Sequence, residues 1–69
     1  MKLSARNTLK GTVKDIKTGT VNTEVVVQLA GGEEIVSMIT KESAEKLGLK
    51  PGKEVYAVIK ASNVMIGTD

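Results

Sequence analysis

The chain of 69 residues lacks cysteine, histidine, tryptophan and phenylalanine, and its only aromatic residue is Tyr56. Without cysteine or histidine, disulfides and the usual zinc ligands are excluded. A chain this short lies near the lower size limit for folding on a hydrophobic core alone, and it usually relies on such links or on partner subunits. We therefore expect an aliphatic core and a homo-oligomer.

The same absences argue against catalysis. The residual candidates form no recognisable nucleophile or acid–base arrangement; they are the lysines and Asp15, Glu24, Glu42 and Tyr56. No carboxylates cluster at a spacing that would hold a metal cation. The sequence predicts a binding protein rather than an enzyme, with no metal-cation site.

The chain also has little net charge. Ten basic and eight acidic residues are interspersed, and the net charge is +2. That balance gives a weak field for recruiting nucleic acid, and a single tyrosine offers almost no surface on which bases could stack. No apolar run approaches the length of a membrane span, and the first residues lead into polar sequence rather than a signal-peptide core. We expect a cytoplasmic protein with no membrane contact, for which nucleic acid is an unlikely partner.

Alternation of apolar and polar residues predicts five strands. The first covers residues 8–17, and because Ile16 falls out of phase it should contain a bulge near Lys14 and Asp15. The others are predicted at residues 23–29, 34–39, 55–61 and, as a short last strand, around Val64 and Ile66. The third strand has apolar residues on both faces, which favours cover by another subunit.

One short helix is predicted between the third and fourth strands. Thr40 is a good N-cap, Glu42 lies in the favourable first turn, and Gly48 is placed to end the helix. The pair Pro51-Gly52 suits a type II turn. Three strands, a helix and two strands follow the element order of a five-stranded OB-like Greek-key barrel, so we predict a single all-β domain over residues 1–69.

Two short segments near opposite ends of the chain combine a cation with hydroxyl and amide side chains. They are Ser4-Ala5-Arg6-Asn7 and Lys60-Ala61-Ser62-Asn63. Arginine supplies a fixed fork of donors, lysine a compact charge, and serine and backbone N–H groups add directional hydrogen bonds, which together suit a small oxyanion. Each segment alone is more often solvated surface. Thr40 and Ser43 could add donors at the helix start, although capping alone would explain Thr40.

Four segments in register resemble the molbindins, small molybdate-binding proteins of the Mop type related to the TOBE domains of molybdate transporters. These segments are Lys2-Leu3-Ser4-Ala5-Arg6-Asn7, Lys17-Thr18-Gly19-Thr20-Val21, Met38-Ile39-Thr40-Lys41-Glu42-Ser43 with Leu47-Gly48-Leu49, and Val58-Ile59-Lys60-Ala61-Ser62-Asn63-Val64. The resemblance covers essentially the whole chain.

The resemblance implies a hexamer, a trimer of dimers, that binds molybdate or tungstate between subunits for intracellular storage or homeostasis. It implies a first site at Ser4, Arg6, Thr40, Ser43, Lys60, Ala61 and Ser62, and a second near a threefold axis at Lys17, Thr18, Gly19, Thr20 and Val21. No other cofactor is implied. The alternative is an OB-fold oligomerisation or nucleic-acid-binding module in which anion binding is incidental.

Overall fold

A computed structural model describes all of residues 1–69 and shows one antiparallel sheet with a short helix. The elements in chain order are β1 (Asn7–Thr18), β2 (Asn22–Leu29), β3 (Glu34–Thr40), α1 (Lys41–Lys46), β4 (Glu54–Ile59) and a 3-10 turn (Ala61–Asn63). The mostly β architecture with a short helix between the third and fourth strands agrees with the sequence prediction.

β1 is the strand that holds the sheet together. The strand order is β3-β2-β1-β4, so β1 pairs with β2 along one edge and with β4 along the other. Its first half faces β4, from Asn7 opposite Ile59 onward, and its second half faces β2, ending with Thr18 opposite Thr23. The register with β2 shifts between Val13 and Asp15, which confirms the predicted bulge.

The core lies on one face of this sheet; its hydrophobic cluster is aliphatic, and the polar Thr23 of β2 is buried as well. Val13, Val25 and Val27 are buried, with exposed fractions of 1–4%. The bulge lets Ile16 pair with Val25 and so return to this face. Partly buried residues from several elements complete the cluster: Ile16, Leu29, Ile39, Leu49 and Val55.

α1 begins where the sequence predicts. Thr40 has extended backbone angles, and its hydroxyl accepts a hydrogen bond from the Ser43 amide at 3.1 Å. The helix ends at Lys46, and Lys53 Nζ donates to the carbonyl oxygen of Leu47 at 2.5 Å, beyond the last turn. The structure contains no helix long and apolar enough to cross a membrane.

The turn before β4 anchors that strand to the core. Gly52 has a φ of +92°, and the Lys53 amide donates to the Lys50 carbonyl at 3.1 Å, as a type II turn requires. The Gly52 amide then donates to the carbonyl of Val13, and the Val13 amide donates to the carbonyl of Lys53. Both hydrogen bonds therefore join the turn to Val13, the buried residue next to the bulge.

The predicted fifth strand is wrong for the single chain. After β4 the backbone folds into the 3-10 turn, closed by hydrogen bonds from Asn63 to Lys60 and from Val64 to Ala61. Residues 64–69 carry no strand, and Ile66 is 87% exposed. Alternation at Val64 and Ile66 is typical of a strand, but this segment pairs with no strand of its own chain. Consequently β3 and β4 are both open edges.

The outer face of the sheet carries three ion pairs, two between neighbouring strands and one that spans β2 from β1 to β3. Lys10 lies 3.3 Å from Glu54, Lys17 lies 3.9 Å from Glu24, and Lys14 pairs with Glu34. The hydrogen bond to Glu34 and the charge of that carboxylate raise the pKa of Lys14 above its ordinary value. This pair contributes its stability below the unfolded-state pKa of lysine, and the contribution disappears as the pH rises through the higher folded-state pKa. Because these pairs are solvated, they add little to the stability of the fold.

The isolated chain exposes more surface than a protein of its mass normally does. Its accessible surface is 5496 Å², whereas the scaling for folded monomers gives about 4,200 Å² for 7.3 kDa. Its radius of gyration is 12.6 Å, against about 11 Å expected for this length. Large apolar side chains on the outer face contribute to the excess, among them Val36 at 63% and Met38 at 62% exposed. The single chain thus leaves much apolar surface uncovered.

Gly11 provides a test of the core. A Cβ atom at this position would lie 2.6 Å from Val27 Cγ1 and 2.7 Å from the Gln28 carbonyl oxygen. We expect Gly11→Ala to lower the free energy of unfolding by about 1–3 kcal/mol, as overpacking of a close contact does. Urea unfolding at one fixed protein concentration measures the change. Gly67→Ala, where nothing lies within 4 Å of the new atom, is the control; equal stability of the two variants would contradict the packing described.

Candidate functional site

The two cation-bearing segments lie side by side at one end of the β1–β4 ladder. Asn7 opposes Ile59, so the residues before Asn7 and after Ile59 leave the sheet together. The Asn7 side-chain amide donates to the Ile59 carbonyl at 3.2 Å and fastens this end. The segments bring together a set that we call the terminal cluster: Ser4, Arg6, Lys60, Ala61 and Ser62.

The terminal cluster has the chemistry of an anion site. It carries two cations, Arg6 and Lys60, and no acidic residue occurs within residues 1–14 or 55–68. The amides of Ala61 and Ser62, at the start of the 3-10 turn, donate to no backbone acceptor in the chain. All of its members are exposed. Guanidinium, ammonium, hydroxyl and free N–H groups therefore point to an acceptor-rich ligand such as a tetrahedral oxyanion.

Thr40 and Ser43, the cap pair, are hydrogen-bonded to each other. The Thr40 hydroxyl donates to Ser43 Oγ at 2.8 Å while accepting from the Ser43 amide. Capping is thus observed, and it fixes the two hydroxyls in one exposed place. It leaves Ser43 Oγ with lone pairs and its own proton available for a further partner.

The structure does not bring the cap pair to the terminal cluster within one chain. Thr40 opposes Asn22 at the end of the sheet where β1 finishes, whereas the terminal cluster lies where β1 begins. β1 has 12 residues between these ends, a length of about 35 Å for an extended strand. No hydrogen bond or ion pair connects the two groups. Seven residues predicted to share one site are therefore divided between opposite ends of the subunit.

The residues predicted for the second site line a shallow depression on the cap-pair end of the sheet. The depression has a volume of about 430 Å³. It is lined by Lys17, Thr18, Gly19, Thr20, Val21, Asn22, Glu24 and Met38. All five predicted residues are thus together, at the end of β1 and in the turn that follows.

This depression also contains unpaired backbone donors. The Gly19 amide donates to the Asn22 carbonyl at 2.8 Å and closes the turn, but the amides of Thr20 and Val21 donate no hydrogen bond within the chain. The Val21 carbonyl accepts from the Lys41 amide at 2.8 Å, which holds the turn against the helix start. The turn is fixed in place while its N–H groups stay available.

Four further residues of these two regions were not predicted as site residues. Asn7 fastens the terminal cluster, and Asn22, Glu24 and Met38 complete the depression. Glu24 lies there because it is the cross-strand partner of Lys17, and Met38 lies there because it is the cross-strand partner of Glu24. Their proximity follows from strand register, which pairs residues distant in sequence. In the sequence, only the alternation within β2 and β3, together with the position of the hairpin between them, could have indicated this proximity.

The fold and these two donor sets define a small β-sheet domain whose exposed donors suit an anionic ligand. Comparison with known proteins makes this specific. The model of the TOBE domain family matches residues 3–66. Molybdenum-pterin-binding protein 1 of Clostridium pasteurianum is 52% identical over 66 residues, which cover 96% of this chain and 97% of that protein.

Solved structures agree with the sequence comparison. MopII from Clostridium pasteurianum superimposes with a TM-score of 0.92 at 49% identity, covering 97% of this chain and all of MopII. The cytoplasmic molybdate-binding protein ModG, in a crystal form with molybdate bound, gives 0.95 at 61% identity, covering all of this chain and 49% of ModG. The chain belongs to the TOBE domain family, and its resemblance to the Mop-type molybdate-binding proteins is confirmed.

Proposed function

We propose that this protein binds molybdate, and also tungstate, in sites completed by a neighbouring subunit. The observation that carries the proposal is the terminal cluster, where two adjacent segments carry two cations, serine hydroxyls and unpaired amides without a carboxylate. A dianion with four oxygens satisfies such a set, whereas a cation or an apolar ligand does not. Relatives named for binding molybdenum-pterin or molybdate, at 52% and 61% identity, support the choice of anion.

Each member of the first site then has a role. Arg6 and Lys60 balance the two charges of the ligand, and Arg6 orients two oxygens through its fork of donors. The hydroxyls of Ser4 and Ser62 and the amides of Ala61 and Ser62 bond to the remaining lone pairs. The cap pair, Thr40 and Ser43, contributes hydroxyl donors from the adjacent subunit.

The division of the first site between opposite ends of the sheet supports an interface location. A second copy that placed its cap pair on the terminal cluster would reunite all seven residues. The excess accessible surface and the exposed apolar side chains of β3 supply contact area for such an assembly. We propose a hexamer arranged as a trimer of dimers, with a second class of sites at the depression lined by residues 17–21.

Residues 1–69 act in this proposal as one non-catalytic binding domain with an OB-like sheet. Its role is molybdenum storage or homeostasis in the cytoplasm. Little supports the alternative of a nucleic-acid-binding module. Tyr56 is the only aromatic residue on which a base could stack, and a net charge of +2 attracts nucleic acid only weakly.

Arg6 tests the first site. We expect Arg6→Ala to weaken molybdate binding roughly ten- to a hundredfold, the loss of a charge-assisted hydrogen bond. Lys10→Ala is the matched control, because Lys10 is an exposed cation of β1 that pairs with Glu54 outside the terminal cluster. Calorimetric titration measures both. Equal affinities for the two variants would remove Arg6 from the site.

Competition between oxyanions tests the ligand. Tungstate is nearly the same size as molybdate and should displace it at similar concentration. Sulfate is smaller, so a donor shell set for molybdate makes longer and weaker hydrogen bonds to it, and it should compete poorly. Equilibrium dialysis at constant ionic strength gives the inhibition constants of tungstate and of sulfate against bound molybdate. Displacement by sulfate at comparable concentration would reduce the site to a general anion-binding surface.

Mixed oligomers test the interface. Arg6→Ala removes a donor of the terminal cluster, and Ser43→Ala removes one of the cap pair while leaving the hydroxyl of Thr40 to cap α1. If each site takes one set from each of two chains, random co-assembly of the variants restores about one quarter of the sites to the wild-type composition. Molybdate titration of the mixture should reveal this tight class. Its absence, in oligomers shown by mass spectrometry to be mixed, would place the site within one chain.

A further inference from the structure

The two donor sets differ in charge although both offer free amides. The terminal cluster holds two cations and no carboxylate. The depression holds one cation, Lys17, and one carboxylate, Glu24. The ionised side chains that line it therefore sum to zero, and a dianion entering it gains no net side-chain charge.

Glu24 is the more firmly placed of these two charges. It lies in the middle of the sheet on β2, between Lys17 of β1 and Met38 of β3, and its side chain is 33% exposed. The Lys17 side chain is 74% exposed and its Nζ lies 3.9 Å from the Glu24 carboxylate. The lysine can turn to another partner, whereas the carboxylate remains beside the depression.

We propose that Glu24 sets the affinity and selectivity of the second site by competing with the bound oxyanion for Lys17. The inference rests on the proposed function, since it takes the depression as an anion site. An anion that binds at the Thr20 and Val21 amides must draw Lys17 away from Glu24 and remain near that carboxylate. Glu24 thus weakens the second class of sites relative to the first, and it penalises dianions more than monoanions.

The opposite role for Glu24 would be to hold Lys17 toward the ligand. That role requires a close, ordered ion pair. A separation of 3.9 Å with a largely exposed lysine is a loose pair, which exerts little orienting force. The two roles predict opposite signs for one substitution, so a single variant separates them.

The test is a molybdate titration followed by the backbone amide NMR signals of the intact protein. Glu24→Gln keeps the size of the side chain and removes its charge. We expect the Thr20 and Val21 signals to titrate at about three- to tenfold lower molybdate concentration than in the wild type, as removal of one solvated repulsive charge predicts. The gain should shrink at high salt. The Ala61 and Ser62 signals should titrate as in the wild type.

Glu54→Gln is the matched control, because Glu54 forms the equivalent ion pair with Lys10 on the outer face and does not line this depression. An equal gain for both variants would show a general effect of net charge and overturn the role of Glu24. Unchanged or weaker binding at Thr20 and Val21 in Glu24→Gln would overturn it as well.

The same signals separate this inference from the proposed function. Molybdate-dependent shifts confined to Ala61 and Ser62, in wild type and variant alike, would overturn the inference while leaving the first site intact. If no amide responds to molybdate in either protein, both the inference and the proposed function fail.

Discussion

The pairing of β1 with two partners is the constraint on which the rest of this structure depends. One strand of 12 residues serves β4 with its first half and β2 with its second, and the bulge after Val13 keeps its apolar side chains on one face through the change. The same strand separates the donor sets, because the terminal cluster lies at its beginning and the depression at its end. The two candidate sites therefore lie at opposite ends of the sheet.

Features that depend on local sequence could be predicted. The bulge follows from the phase of Ile16, the start of α1 from the hydroxyl of Thr40, and the turn before β4 from a proline followed by glycine. In each case a few neighbouring residues decide the backbone conformation. The terminal cluster was also predictable in composition, since its residues occur in two short segments whose ends the β1–β4 ladder brings together.

Features that depend on distant pairing could not be predicted. Alternation at Val64 and Ile66 indicates a strand but not whether its own chain offers a partner, and the 3-10 turn before it was not foreseen. The proximity of Glu24 and Met38 to the turn after β1 depends on the register of three strands. A one-residue shift would have placed other side chains there. The resemblance to a known family indicated the segments of both candidate sites, but it did not include this carboxylate.

The two open edges of the sheet have a consequence for how such a protein exists in a cell. β3 and β4 each present unpaired backbone N–H and C=O groups, and their outer faces carry apolar residues such as Val36 and Val58. Exposed edges of this kind pair readily with foreign strands and start aggregates. In the proposed hexamer such edges would meet copies of the same chain, so rapid self-association would protect newly made chains as well as complete the binding sites.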